Sequence, residues 1–337
     1  MKYQDSTYNI VYATDDSFVS IMEVSIESLL KNNKNAKKIN LIVLNTDISK
    51  KNIEKLFRIV NKYENGSLKL IDAVNIEKKL SLNVEQDRGS VSQYARLFLN
   101  DIFDKKINRI LYLDCDTLID GSIYDLWNTD LHGKIIGALK DAFSKYYRKN
   151  IGLNKNDIMF NSGVMLIDLE KWRNSNIEQK LMNFIIQHKG IVQQGDQGVL
   201  NAILSKEVYP LNPQYNFVSI FSDYTYEQIL LYRHPVKFYS KKQIEQAAVK
   251  PIIIHFTSSI FTNRPWEEGC KNLYLTKWLE YKSETPWKNE PLRKDGRGPI
   301  KKSIKLIFGL LPISLSLYVA SIFQAYLRPI KNSLRGI

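Results

Sequence analysis

An α/β fold built around a mostly parallel sheet is predicted by three observations. Short apolar strands alternate with helical segments from Tyr8 onward. Those strands are apolar at nearly every position, not every second one, which marks strands covered on both faces. The chain is 337 residues long with 44% hydrophobic and 25% charged residues, enough to bury one large domain plus an appendage, or two ordinary domains.

Tyr8 to Ala13 reads as the first strand, followed by the polar turn Thr14-Asp15-Asp16-Ser17. A helix follows with apolar positions Ile21, Val24, Leu29 and Leu30. The second strand is Ile39 to Leu44. Ser49 to Tyr63 has helical spacing, with Ser49 at the N-cap. A third strand covers Leu68 to Ile71. Val91 to Phe103 reads as a helix carrying Tyr94, Arg96, Leu97 and Leu99, and it leads to the strand Arg109 to Leu113. Further strands are expected at Ile135 to Leu139, Gly163 to Asp168 and Pro251 to His255, with a helix from Asp196 to Leu204. Pro, Gly and charge cluster between Pro286 and Pro299. That cluster sets an expected boundary between a catalytic domain at 1–287 and a C-terminal region at 288–337.

Two cysteines, Cys115 and Cys270, provide neither a disulfide framework nor a zinc site, and suit a reducing compartment. The N-terminus lacks the basic start and apolar run of a secretory signal, so a cytoplasmic location is expected. Of the net charge of +13, seven positive residues fall after Gly296 with no acid among them: Arg297, Lys301, Lys302, Lys305, Arg328, Lys331 and Arg335. Such a tail calls for an anionic partner, membrane or nucleic acid.

Four motifs can carry chemistry. Leu113-Asp114-Cys115-Asp116-Thr117 puts two carboxylates at the carboxyl end of a buried strand, where open α/β sheets bind ligands. Mg²⁺ and Mn²⁺ prefer carboxylate oxygens and share their sites with phosphates. A bare Asp-x-Asp also suits a helix cap or a solvated turn. His255 ends a strand and can complete a Mn²⁺ site that two carboxylates begin, or can simply be packed. Phe160-Asn161-Ser162-Gly163-Val164 places small polar residues ahead of a strand, either as a ligand approach or as a tight turn. In Gln194-Gly195-Asp196-Gln197-Gly198, Asp196 and Gln197 can clamp sugar hydroxyls, or Asp196 can cap the helix that follows.

In this order and spacing the motifs resemble the family 8 glycosyltransferases, the retaining group that includes bacterial lipopolysaccharide galactosyltransferases and glycogenin. The likeness covers roughly residues 8 to 270. Tyr12-Ala13-Thr14-Asp15-Asp16 is similar to the family's first strand and nucleotide turn, and Tyr94-Ala95-Arg96-Leu97 to its Tyr-Ala-Arg segment. The Asp114–Asp116 pair, Phe160-Asn161-Ser162-Gly163, Asp196-Gln197 and His255 match its remaining motifs in sequence order.

The resemblance implies a Rossmann-like domain of the GT-A type that binds a nucleotide sugar. It implies that Asp114, Asp116 and His255 hold Mn²⁺ (or Mg²⁺) on the diphosphate of a UDP-sugar. Ala13, Thr14, Asp15, Phe18 and Cys115 would surround the nucleotide, with Phe18 as a stacking ring. Arg96, Asn161, Asp196 and Gln197 would line the sugar. Asp141 would lie near the transferred sugar or the acceptor. Two departures stand out. The run from His255 to Arg264-Pro265-Trp266 is longer than usual, lacks the family's glycine, and has Arg where Lys is usual. Ser17 stands where Asn is common. Arg264 still suits a phosphate, through a bidentate fork.

Leu306 to Leu327 has no charged residue and reaches the length of a membrane span, but it contains Gly309, Pro312 and Gln324 and is basic on both flanks. Helical spacing favours basic amphipathic helices lying in an anionic membrane interface over a span or a hairpin packed on the domain. The expected activity is therefore transfer of a hexose, galactose or glucose, from UDP-hexose to a membrane-associated, lipid-linked glycan with retention of the α-anomer. The expected site of work is the inner face of the cell membrane. A protein acceptor is the alternative within the same chemistry. A basic nucleic-acid-binding protein is the alternative from another class. It is disfavoured because the charge sits beside long apolar runs, so no nucleic-acid partner is expected.

Overall fold

A computed structural model describes residues 6–73, 92–100, 102–259 and 261–334. Strands β1 (Thr7–Thr14), β2 (Lys38–Asn45) and β3 (Gly66–Asp72) run parallel and side by side. Helices α1 (Val19–Asn32) and α2 (Lys50–Val60) connect them. The chain then returns to the other side of β1, where β4 (Arg109–Leu113) also pairs in parallel. A three-residue strand, β5 (Thr117–Ile119), follows, and then β6 (Ile136–Lys140), β7 (Phe160–Asp168) and β8 (Val208–Pro210). The main sheet has seven strands in the order β3-β2-β1-β4-β7-β6-β8, and β7 is antiparallel to both its neighbours. A second sheet joins β5, β10 (Ile253–His255) and β9 (Phe217–Val218).

The solid apolar strands follow from burial on both faces. Successive side chains of a strand point to opposite sides. Ile10, Tyr12, Leu41, Val43, Leu111 and Leu113 pack on one face with Met22, Ile26 and Leu29 of α1. Val11, Ile42, Leu44, Ile110 and Tyr112 pack on the other with Tyr94, Leu97, Met165 and Ile167. α1 is buried almost all round: Ile21 and Val24 face Leu118, Ile254, Phe256, Trp266 and Trp278. Its serines join the two sheets. Ser25 bonds Tyr12 and Thr117, and the Ser28 hydroxyl accepts the Ile119 N–H at 3.0 Å. The expected mostly parallel α/β fold is thus observed.

Four elements differ from the sequence expectation. The helix expected over Val91–Phe103 is a 3₁₀ turn over Ser92–Leu97; Val91 and Asp101 lie outside the described residues. Ser49 stands at the N-cap of α2 but its side chain makes no cap bond. Its backbone N–H donates to Asp16 Oδ1 instead, at 2.8 Å. Phe160 to Ser162, expected ahead of the strand that begins at Gly163, lie inside β7. Beside them the register with β6 jumps from Ala138↔Met165 to Leu139↔Asn161, so Ser162-Gly163-Val164 bulge out of the β6 ladder while Val164 stays paired with Leu113 of β4. Asp196 lies in the first turn of the helix Gly195–Leu204, whose N-cap is Gln194, so it does not cap that helix.

Beyond Ser283, Trp287 is buried under Lys55, and Arg293 donates to the Ser17 carbonyl. Helices then run over Pro299–Leu310, Ile313–Ser321 and Arg328–Leu334, with a π-helical turn at Ile322–Leu327. The π turn coincides with two grips by the domain: Tyr147 donates to the Gln324 carbonyl and Ser144 to the Ala325 carbonyl. Ser316, Leu317, Ala320, Ser321 and Ala325 are the buried side of this tail, while Leu315, Tyr318, Ile322, Phe323 and Leu327 are exposed. Among the described residues no helix is long and apolar enough to cross a membrane.

Candidate active site

The chain order places the site. β1 leads away to β2 and β3 on one side, while β4 lies on the other, so the carboxyl ends of β1 and β4 flank the point where strand order reverses. Such points leave an open crevice for ligands. The Thr14–Phe18 turn and the Asp114–Asp116 segment both sit there. Asp15 shapes its turn by accepting the Ser17 N–H, the Ser17 hydroxyl and the Phe18 N–H.

Asp114, Asp116 and His255 converge, with ligand-type atoms all within 4.8 Å of one another. β10 pairs antiparallel with β5, so His255 stands opposite Thr117 and next to Asp116. His255 Nε2 is 3.1 Å from Asp116 Oδ1 and 3.7 Å from Asp114 Oδ2. The second oxygen of each carboxylate is turned to an arginine. Arg96 donates to Asp114 Oδ1 at 2.9 Å and Arg264 to Asp116 Oδ2 at 3.2 Å. One oxygen from each Asp is therefore aimed at the imidazole nitrogen.

Gly163 makes the convergence possible. A Cβ there would lie 2.2 Å from His255 Cε1 and 2.7 Å from Asp114 Oδ2. No side chain fits without displacing both. Three oxygen and nitrogen acceptors gathered at this distance suit a hard or borderline divalent cation. The donor set therefore fits Mn²⁺ or Mg²⁺.

Arg96 organises the half of the site beside Asp196. It is 6% exposed, bonds Asp196 through Nε, donates to the Ser162 carbonyl at 2.9 Å, and lies 4.8 Å over the Tyr112 ring. Burial opposes its charge, but Asp196, Tyr112 and Asp114 outweigh it and hold the guanidinium above its ordinary pKa. Asp196 is 3% exposed, and burial pushes its carboxyl up against the pull of Arg96. Gln197 Oε1 accepts from the Ser162 N–H and hydroxyl, and its Nε2 donates to Asp141 Oδ2 at 3.4 Å. Asn161 Nδ2 reaches the same Asp141 oxygen at 3.5 Å. Three acids (Asp114, Asp116, Asp196) thus face two arginines, and Asp141 is held by amides alone.

The other expected residues are placed as follows. Ala13 is partly buried, and its carbonyl accepts from Cys115 Sγ at 3.3 Å. Cys115 itself is turned into the core, where burial pushes its thiol up. Thr14 is buried, and its hydroxyl meets the Asp15 carbonyl. Phe18 lies edge-on to Trp266 at 6.2 Å and under Arg293 at 5.7 Å. Arg264 also lies 5.1 Å over the Trp266 ring. Two participants were not singled out from sequence. Tyr112 donates to Asp114 Oδ1 at 3.1 Å, and Asn216 Oδ1 accepts from His255 Nδ1 at 2.9 Å. The strand phase of Arg109–Leu113 puts Tyr112 on the Arg96 face and could have found it. Nothing in the sequence around Asn216 marks it.

The model of the family described as Glycosyl transferase family 8 matches residues 9–270. The chain is 29% identical over 291 residues to general stress protein A of Bacillus subtilis, covering 84% of this chain and 96% of that protein. It is 32% identical over 257 residues to a putative glycosyltransferase of Haemophilus influenzae, covering 70% and 74%. Among solved structures it is similar to the galactosyltransferase LgtC in complex with donor and acceptor sugar analogs. The TM-score is 0.67 at 23% identity, over 82% of this chain and 96% of that one, a likeness of fold.

Proposed function

Because this chain belongs to glycosyl transferase family 8, we propose that it moves a hexose from a UDP-sugar to a membrane-associated glycan, with retention of the α-anomer. The observation that carries the reading is the convergence of one Asp114 oxygen, one Asp116 oxygen and His255 Nε2 at the crevice between β1 and β4. When bound there, Mn²⁺ or Mg²⁺ would supply the charge that a departing diphosphate needs.

The chain's own residues do the rest. The Thr14–Phe18 turn and the Ala13 backbone receive the nucleotide. Arg264 sits beside the metal ligands, where its fork can turn to a phosphate. Asn161, Gln197 and Asp141 form a hydrogen-bonded set that receives sugar hydroxyls. Asp196 is clamped by Arg96, and Gln197 Oε1 is already accepting from Ser162. Neither is presented as a free nucleophile, which favours attack on the same face of the sugar over a covalent intermediate.

A membrane acceptor is supported by the tail. A helix packed on a protein ordinarily buries its large apolar residues. Here Leu317 is buried with Ser316, Ala320, Ser321 and Ala325, while Leu315, Tyr318, Ile322 and Phe323 are exposed, as are the cations Lys301, Lys302, Arg328 and Lys331. That is the layout of a peripheral anchor on anionic lipid. We therefore assign residues 1–287 to catalysis and 288–337 to attachment at the cytoplasmic face of the membrane. Asn150 bonds both the Pro329 carbonyl of the tail and Gln193, three residues before Asp196, so the tail is seated beside the sugar side.

The test is Mn²⁺-dependent turnover of UDP-galactose and UDP-glucose, first alone and then with lipid-linked saccharides. Asp116→Asn should abolish it. Unchanged turnover in that variant would remove the metal-site assignment.

A further inference from the structure

Asn216 occupies the step between the 3₁₀ turn Pro213–Tyr215 and β9, and it is fully buried. β9 pairs in parallel with β10, setting Val218 opposite His255. Asn216 is thereby carried to the inner side of the imidazole, away from the carboxylates. Its Oδ1 lies 2.9 Å from His255 Nδ1, and its Nδ2 lies 2.9 Å from Asn161 Oδ1.

An amide in isolation can be turned either way round, and an imidazole can carry its proton on either nitrogen. Here a backbone group removes the freedom. The Gly163 N–H can only donate, and it donates to Asn161 at 3.0 Å. The Asn161 atom at that point is therefore its oxygen. The Asn216 atom facing the same oxygen must then be its NH₂. The other end of Asn216, facing His255, is its carbonyl oxygen, which accepts only from a protonated Nδ1. The Nε2 lone pair is left facing Asp114 and Asp116.

We propose that Asn216 is the positioning residue of the metal site: it fixes the His255 tautomer and ring orientation through a relay that starts at the Gly163 backbone and passes through Asn161. The proposal rests on the metal-site reading above for its functional consequence, though not for the tautomer. It also links the two halves of the site. Asn161 reaches Asp141 on the sugar side, so one chain of amides holds the cation's imidazole and a sugar-facing residue in a single register. Partners of a metal-binding imidazole of this kind commonly change metal affinity by about 10- to 100-fold when removed.

The experiment uses the full-length protein. Selective ¹⁵N labelling of its four histidines allows the ring protons to be assigned by NMR, with His255→Gln identifying the His255 signals. Wild type should show a proton on His255 Nδ1. In Asn216→Leu that proton should no longer be held there. Mn²⁺ affinity, measured by the EPR signal of free Mn²⁺ in the presence of UDP, should fall by about 10- to 100-fold in Asn216→Leu. Asn216→Asp keeps an acceptor toward Nδ1 but loses the donor to Asn161. It should recover most of the roughly 10- to 100-fold loss in Mn²⁺ affinity while KM for the UDP-sugar rises above wild type, because Asn161 has lost its donor. A folded Asn216→Leu with wild-type Mn²⁺ affinity, or a wild-type His255 lacking the Nδ1 proton, overturns the proposal. So does an Asn216→Asp variant that recovers no affinity. If wild type itself binds no Mn²⁺ while the Nδ1 proton responds as stated, the metal-site reading fails and the tautomer relay stands.

Discussion

Adding one methyl group at Gly163 tests the site without touching a ligand. The new Cβ in Gly163→Ala would stand 2.2 Å from His255 Cε1 and 2.7 Å from Asp114 Oδ2, where ordinary contact begins at 3.4 Å. Relief requires the imidazole to retreat by about 1.2 Å and the carboxylate by about 0.7 Å. Metal sites hold their ligand distances to about 0.2 Å, so both displacements would leave a bound cation with a broken set. Misplacement of about 1 Å at a reacting centre costs on the order of 100-fold in rate, or about 2.7 kcal/mol of barrier. Gly163→Ala should therefore lose at least that factor in kcat/KM for Mn²⁺-dependent UDP-hexose turnover. The loss should appear also as weaker Mn²⁺ binding, with the thermal midpoint and far-UV circular dichroism of a folded protein. Retention of more than half the wild-type rate would refute the idea that Gly163 is there to let His255 and Asp114 meet.

Other perturbations separate structure from chemistry. Glu23 of α1 is fully buried, neither carboxylate oxygen has a partner among the described residues, and burial pushes its pKa from 4.5 up to about 10. The folded state then binds a proton that the unfolded state releases above pH 4.5, so this group costs stability increasingly as pH rises. The cost is about 3 kcal/mol at pH 7, and Glu23→Gln should flatten the fall in stability seen by urea unfolding between pH 5 and pH 8. Gly198→Ala places a Cβ 1.9 Å from the Gln193 backbone carbonyl, so it should destabilise the fold by at least about 2 kcal/mol in calorimetry, with or without Mn²⁺. Arg96→Met strands Asp196 and Asp114 and should cost about 3–5 kcal/mol, visible in urea unfolding and absent if the pair is dispensable. Lys301→Gln with Lys302→Gln removes two exposed cations from the tail and should weaken sedimentation with phosphatidylglycerol vesicles about 30-fold at low salt, leaving soluble UDP-hexose turnover intact.

What could be read from sequence follows from how each signal arises. β1, β2 and β4 were legible because both faces are buried, and Ile10 and Val11 must each be apolar although they point opposite ways. The segment around Arg96 was misread in type because Tyr94 and Leu97 are three apart. That spacing serves a helix and a 3₁₀ turn alike. Gly163 was legible as a place of close approach but not as part of a bulged strand. The bulge depends on pairing with Ala138 and Leu139, which no local pattern records. Asn216 was invisible for the same reason: its partners, Asn161 and His255, are distant in the chain.

The tail shows how a correct periodicity can leave its sense open. Helical spacing divides Ile313 to Leu327 into two sides, and hydrophobicity alone assigns the larger apolar side to whatever excludes water. The domain surface it meets is itself aromatic, with Phe221, Tyr224 and Tyr232 in the buried cluster that receives Leu317 and Ala320. Bulky rings leave room for one large side chain, Leu317, beside the small Ala320. Packing therefore takes the side that is small apart from Leu317, and Leu315, Tyr318, Ile322 and Phe323 on the other side stay exposed. The same helices pack on the domain through one side and leave Leu315, Tyr318, Ile322 and Phe323 exposed on the other, so packing on the domain does not use up the tail's apolar surface.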